Sequence, residues 1–381
     1  MISSLSTLSL IKKKTVSTPI ASNMPIVVIG NGGTYSYAYT NDTSFLTWSY
    51  GNIGSTYANF VPRSICCGIY NSGPLWVAIG ISNSIFYSST STNGTTWSSR
   101  SISINSIFNG STGWIFDSLN FGYASDGTTG IFMVTGYSGT SGQSQVGISL
   151  DGITWKTGGI PFTGTSFGND CYYGNGYWVI GGNGSTIPGS LLVSSNVSYT
   201  NNTTITWTSF GTDVSPYYSI YYDGVRWFYG SVFNIFFTLN KTPWSIRYRM
   251  FLSSLRDVAT VTAGSQYTRA IATNNSNIVV CGGDGQISWY LYRYNINTYI
   301  NELTTANTNS TGRIYLSDFS SNTFSGSTVS KINYIPSSNT FIAATTGGSF
   351  EYSTNYGVTW TNVTNVGTNL INCVGLAYNA T

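Results

Sequence analysis

Few residues in this chain are of a type that does chemistry. Its 381 residues include no histidine, which removes the commonest general base and metal ligand. Five cysteines, at positions 66, 67, 171, 281 and 373, make no Cys-x-x-Cys pair and no zinc-ligand spacing, so they read as small apolar residues of a buried interior. Only two glutamates occur, Glu302 and Glu351, and five of the nine arginines (Arg226, Arg247, Arg249, Arg256 and Arg269) fall in one stretch. No catalytic residue, cofactor site or metal site is assigned. The sharpest spaced pattern is a turn motif. It runs Ser353, Asn355, Gly357, Trp360, with shorter copies at Ser149, Asp151, Gly152, Trp155 and at Ser91, Asn93, Gly94, Trp97.

The chemistry of that motif is conformational. An Asp or Asn carboxyl or amide oxygen accepts hydrogen bonds from backbone N–H groups just ahead of it, and Gly supplies the positive φ that a reversal needs. Thr and Trp then open a strand, with the indole free to pack between sheets. Weaker copies appear as Asn41, Asp42, Thr47 and Trp48, as Ser194, Asn196, Thr206 and Trp207, and as Leu239, Asn240, Pro243 and Trp244.

Such turns imply strands on either side, and the composition agrees. Charged residues are 7% and aromatic residues 15% of the chain, which supplies the apolar surface that disordered chains lack. The net charge of +3 comes from scattered basic residues apart from Lys12, Lys13 and Lys14, a poor electrostatic footprint for nucleic acid. Bulky runs ending near Gly recur, as in Ile26-Val27-Val28-Ile29-Gly30 and Trp76-Val77-Ala78-Ile79-Gly80. Later copies open at Ile131, Trp178, Trp227, Ile278 and Phe341. Seven copies about fifty residues apart, each with room for four short strands, predict a seven-bladed β-propeller of four-stranded antiparallel blades. The first copy lacks a preceding strand, and residues 371–379 form an orphan strand at the other end. The ring is therefore predicted to close by the C-terminal strand joining the N-terminal blade, which removes two exposed sheet edges. Residues 1–23 are read as an N-terminal arm and 24–381 as the propeller. The arm has its lysines in the wrong order for a secretory signal, and no segment reaches the length of a membrane span.

The motif Ser-x-Asp/Asn-x-Gly-x-Thr-Trp resembles the Asp-box, or BNR repeat, of the sialidase-like propeller superfamily. The copies from Ser91 and Ser149 are one residue shorter than the usual form. In that superfamily the Asp-box joins the third and fourth strands of a blade, away from the catalytic face, so the resemblance implies fold and not activity. Sialidases need arginines spread over several blades, a Tyr nucleophile paired with a Glu, and an acidic proton donor. Here the arginines cluster, and the nearest fragment to the family's Arg-Ile-Pro element, around Val61, Pro62, Arg63 and Ile65, is in the wrong order.

The expectation is a non-catalytic structural or recognition propeller. Low charge with abundant Ser, Thr, Asn and Tyr looks like propellers encoded by large DNA viruses or phages, which places the chain on a virion or extracellular surface. Its partners would be structural proteins of an assembly, reached in part through residues 1–23, and glycans. A cell-surface glycan-binding lectin, a degenerate sialidase-like hydrolase and a photosystem-type assembly propeller using the arginine cluster stand as alternatives. The 295–330 insertion is a further candidate binding segment.

Overall fold

Each bulky apolar run becomes a strand covered on both faces, because the protein is built from sheets packed face to face. The computed structural model describes residues 25–30, 35–42, 44–53, 60–82, 85–100, 114–138, 144–159, 167–183, 191–199, 205–210, 216–232, 234–244, 247–251, 266–274, 278–285, 290–297, 320–322, 328–345, 350–363 and 373–377. The predicted arm, 1–23, lies outside them, as does most of the 295–330 insertion.

The described strands pair into seven antiparallel sheets of four. Sheet 1 contains β1 (Ile26–Gly30), β2 (Tyr37–Thr40) and β3 (Ser49–Gly51). Sheet 2 contains β4 (Val61–Tyr70), β5 (Gly73–Ser82), β6 (Ile85–Ser91) and β7 (Ser98–Arg100). Sheet 3 contains β8 (Trp114–Tyr123), β9 (Gly130–Ser138), β10 (Ser144–Ser149) and β11 (Trp155–Thr157). Sheet 4 contains β12 (Phe167–Gly174), β13 (Tyr177–Asn183), β14 (Leu191–Ser194) and β15 (Thr208–Phe210). Sheet 5 contains β16 (Tyr217–Tyr222), β17 (Trp227–Ser231), β18 (Asn234–Thr238) and β19 (Arg247–Phe251). Sheet 6 contains β20 (Gln266–Thr273), β21 (Ile278–Gly285), β22 (Tyr290–Asn295) and β23 (Ser320–Asn322). Sheet 7 contains β24 (Val329–Ile335), β25 (Thr340–Thr345), β26 (Phe350–Ser353) and β27 (Thr361–Asn362). The fourth strand of sheet 1 is β28 (Cys373–Ala377), which pairs with β1 through Val27↔Ala377, Val28↔Leu376 and Ile29↔Gly375.

The first strands are neighbours in a closed order: β28 touches β4, and contacts then run β4 to β8, β12, β16, β20, β24 and back to β28. Where burial is described it is greatest in the second strands and least in the outer ones. β1, β17 and β25 are buried throughout, whereas β15 and β27 are mostly exposed. A strand covered on both faces reads as an unbroken apolar run instead of an alternation, which is why these runs stand out in the sequence.

Apolar clusters fill the spaces between consecutive sheets. Trp76 packs with Val27 and Ile29 between sheets 1 and 2, Trp178 with Ile131 and Met133 between sheets 3 and 4, and Trp227 with Val179 and Leu191 between sheets 4 and 5. Sheets 7 and 1 share a cluster of Ile342, Phe350, Val28 and Phe45. Sheets 5 and 6 meet where the Ser219 hydroxyl donates to the Thr268 carbonyl at 2.9 Å and the Tyr218 and Tyr267 rings meet edge to face.

Candidate functional site

The motif turns lie between third and fourth strands. In sheet 3 the Asp151 carboxylate accepts the backbone N–H groups of Ile153 and Thr154 at 2.8 and 2.7 Å and the Ser149 hydroxyl at 3.1 Å. Asn93 in sheet 2 does the same for Thr95 and Thr96, with Ser91 donating to it at 2.9 Å. In sheet 7 the longer turn has Asn355 accepting from Thr359 at 2.9 Å, and the Gly357 N–H donating to the Ser353 hydroxyl at 2.8 Å. The indoles of Trp155 and Trp360 donate to the Gly152 and Gly357 carbonyls. Trp97 joins the cluster between sheets 1 and 2, with its indole nitrogen buried and unpartnered.

These turns are joints between neighbouring sheets. Gly152 has a φ of +67°, its carbonyl accepts from Ser88 of sheet 2, and a Cβ there would collide with Val77 of sheet 2. Gly152→Ala therefore combines a strained backbone with overpacking, and should cost about 2 kcal/mol of unfolding free energy. Chemical denaturation reads the loss, and an unchanged midpoint would show that the turn does not tie the two sheets.

Sheet 1 makes the same turn without glycine. The Asp42 carboxylate accepts the Ser44 and Leu46 amides, and Phe45 takes a positive φ of 59° with its ring buried against Tyr352 of sheet 7. The motif residues of sheets 2, 3 and 7 thus sit one to a sheet and are not gathered into one site. The arginine cluster is also divided. Arg226 pairs with Asp223 at 3.6 Å and donates to Asn297, whereas Arg269 lies on an inner strand; the side chains of Arg247 and Arg249, and all of Arg256, lie outside the described residues.

The inner strands carry a feature the sequence reading missed. Every one has a register shift: at Arg63, Asp117, Asn169, Tyr218, Arg269 and Ser330 in sheets 2 to 7, and at Val374 in β28. A bulge bends its strand and re-aims the next side chain. The residues that follow reach the neighbouring inner strand. The Ser64 hydroxyl accepts the Leu119 N–H at 3.1 Å, the Ser118 hydroxyl accepts the Cys171 N–H at 3.3 Å, and the Asp170 carboxylate accepts the Ile220 N–H at 2.8 Å. The sequence signal, a small polar residue just before an apolar one, is too common to have found this.

Between the inner strands is a cavity of about 240 Å³, lined from sheets 2 to 7 by residues that include Cys66, Asn120, Asp170, Tyr221, Arg269 and Lys331. Asp170 is buried and accepts the Ser118 hydroxyl at 2.6 Å, and the Lys331 ammonium from sheet 7 stands 3.9 Å away. The Arg269 guanidinium lies over the Tyr218 and Tyr267 rings, 5.2 and 5.4 Å from their centroids, a cation–π arrangement. Burial pushes the Tyr221 phenol up to about 12 and the Cys171 thiol, helped by the Asp170 charge, to about 12. The Cys66 and Cys67 thiols are raised by burial as well. A protonated thiol is a poor nucleophile and metal ligand, and burial favours that form of the Cys66 and Cys67 thiols on this lining.

Glu351 lies on β26, a third strand, and burial lifts its carboxyl to about 7. A carboxyl whose folded pKa is raised binds more protons folded than unfolded between about pH 4.5 and 7, so its stabilising contribution is present at low pH and lost as pH rises through 7. The side chain keeps part of its hydration, which reduces the effect to about 1 kcal/mol. Glu351→Gln should flatten the decline in stability between about pH 5 and 8, measured by urea unfolding. Equal pH slopes in the two proteins would contradict this.

No known protein family matches the sequence, and no curated protein does. Solved structures do match. A chain of the mitotic checkpoint complex is similar with a TM-score of 0.51 at 11% identity, covering 79% of this chain and 80% of that one. YCF48 bound to D1 peptide has a TM-score of 0.48 at 10% identity over 80% and 83% of the two chains. Sqt1 of Chaetomium thermophilum has 0.46 at 11% identity over 82% and 74%. The structural neighbours are WD40-like β-propeller proteins, and the first of these likenesses identifies the fold: an all-β chain of small antiparallel sheets of propeller type. Among the described residues no helix is long and apolar enough to cross a membrane.

Proposed function

We propose that the seven sheets are the blades of a seven-bladed β-propeller, spanning 24–381 and closed by β28, and that it is a non-catalytic recognition scaffold of the Asp-box kind that attaches to protein partners. The observation that carries this reading is the closed order of the inner strands, in which β28 stands between β24 and β4. Such a ring holds its loops on a rigid frame, the arrangement that suits recognition surfaces. The Asp-box assignment is supported by the shared hydrogen bonding of Asn93, Asp151 and Asn355. The non-catalytic reading is supported by inner thiols held protonated and by the placement of Glu351 on a third strand, away from the inner cavity.

The scaffold belongs to a virus particle or extracellular surface, a placement supported by 7% charged residues and solubility resting on hydroxyls and amides. Residues 1–23 anchor it to a neighbouring structural protein by strand addition or groove binding. Quantifying the chain in purified particles, full length and lacking residues 1–23, tests both statements. Depletion of the shortened chain is the expected result. Equal incorporation would remove the anchoring role, and absence of the full-length chain from particles would remove the particle placement.

A further inference from the structure

The inner cavity has a lysine ammonium on its lining that makes an ion pair without a close hydrogen bond. Among the described residues its charged lining is Asp170, Lys331 and Arg269, from sheets 4, 7 and 6. Asp170 is already engaged on both oxygens: Oδ1 accepts the Ser118 hydroxyl and the Cys171 N–H, and Oδ2 accepts the Ile220 N–H. Lys331 sits 3.9 Å from it with its side chain 32% exposed, beyond hydrogen-bonding distance. Among the described residues the Lys331 ammonium, on the cavity lining, has the Asp170 carboxylate at 3.9 Å as its counterion and no hydrogen bond closer than that. Arg269 adds a second cation on the adjacent inner strand, stacked on two tyrosine rings. Ile220, Ile271, Ile332 and Tyr172 are apolar members of the same lining.

We propose that this cavity is a binding site for a monoanionic carboxylate carrying a small apolar or aromatic group, with Lys331 as the primary contact. A charge-assisted hydrogen bond from an incompletely solvated ammonium is the strong interaction the site offers, and the apolar walls take the attached group. The fixed Asp170 charge beside Lys331 works against a dianion such as phosphate, because a second negative charge on the ligand meets repulsion there. The carboxylate comes either from a free small acid or from the end of a partner's peptide chain. The site does not depend on where the scaffold is deployed, so it stands or falls separately from the particle role.

Calorimetric titration of the purified full chain with phenylacetate, phenylacetamide and inorganic phosphate tests the proposal. Phenylacetate should bind, with the uncharged amide and phosphate at least about tenfold weaker, the size of one lost charged hydrogen bond. Lys331→Met should weaken phenylacetate by about tenfold or more, and Lys331→Arg should restore binding, which shows that any loss in the Met variant is not misfolding. A second titration with N-acetyl-glycyl-phenylalanine and its C-terminal amide separates the sources: competition by the free peptide acid alone identifies a chain terminus, and none identifies a free small acid. No phenylacetate binding, equal binding of acid and amide, equal binding of phosphate, or an unchanged affinity in Lys331→Met would each overturn the proposal.

Discussion

A chain lacking residues 371–381 should lose its cooperative unfolding transition and aggregate. Strand β28 supplies the inner partner of β1, pairing across Val27, Val28 and Ile29, all fully buried. It also stands between β24 and β4. Its removal leaves an unpaired apolar edge on β1 and a gap between sheets 7 and 2. Exposing one such aliphatic side chain costs roughly 1.5–3 kcal/mol, and three of them approach the roughly 5–15 kcal/mol that holds a whole domain together. A bare edge of this kind is also a template for intermolecular pairing. Size-exclusion chromatography and a thermal melt would show the change. A peptide of residues 371–381 added in trans should recover part of the native transition by strand addition. A truncated chain that stays monomeric with an unchanged melting temperature would show that the closing strand is dispensable.

The closing strand was legible for a reason that did not apply to the inner cavity. An orphan apolar strand at one terminus and a missing first strand at the other are complementary absences, visible without coordinates. The second strands were legible because burial on both faces leaves no alternation, as at Val27 to Ile29 and Trp76 to Ile79. The turn of sheet 1 was harder to read. Its glycine position is held by Phe45, yet Asp42 still accepts two amides ahead of it, those of Ser44 and Leu46. The carboxylate fixes the turn there, and burial of the Phe45 ring against sheet 7 offsets the strained φ. In sheet 4 the turn is stretched so that Asn196 accepts from Thr206, ten residues on, at 3.1 Å.

The cavity was illegible because it depends on offsets of one residue. Without the bulge at Asn169, Asp170 would fall on the opposite face of β12, since side chains alternate along a strand. A bulge of this kind leaves no mark in composition. Lys331 and Asp170 come from sheets 7 and 4, so nothing in the local sequence of either announces the other. Two of the arginines that are close in sequence show the same effect: Arg226 follows a turn after β16 of sheet 5, and Arg269 sits at the bulge of β20 in sheet 6. Proximity in sequence does not put these two on one sheet.

Asp170→Ala should be a strongly damaging substitution in the inner layer, costing about 2–4 kcal/mol. The carboxylate is one residue serving three sheets: it accepts the Ser118 hydroxyl of sheet 3 at 2.6 Å and the Ile220 amide of sheet 5 at 2.8 Å while standing on sheet 4. Alanine leaves the Ile220 N–H buried without its acceptor, at about 1–3 kcal/mol for such a group, and releases the Ser118 hydroxyl as well. The ion pair contributes much less. Lys331 is 3.9 Å away and part-exposed, so losing it alone, as in Lys331→Met, should cost no more than about 1 kcal/mol. Denaturant midpoints of the two variants therefore decide what Asp170 does. A large loss for Asp170→Ala beside a small one for Lys331→Met assigns it to holding backbone amides across sheets. Equal losses would mean that the charge pair dominates, and the lysine would then be committed to Asp170 and not free to hold a ligand carboxylate.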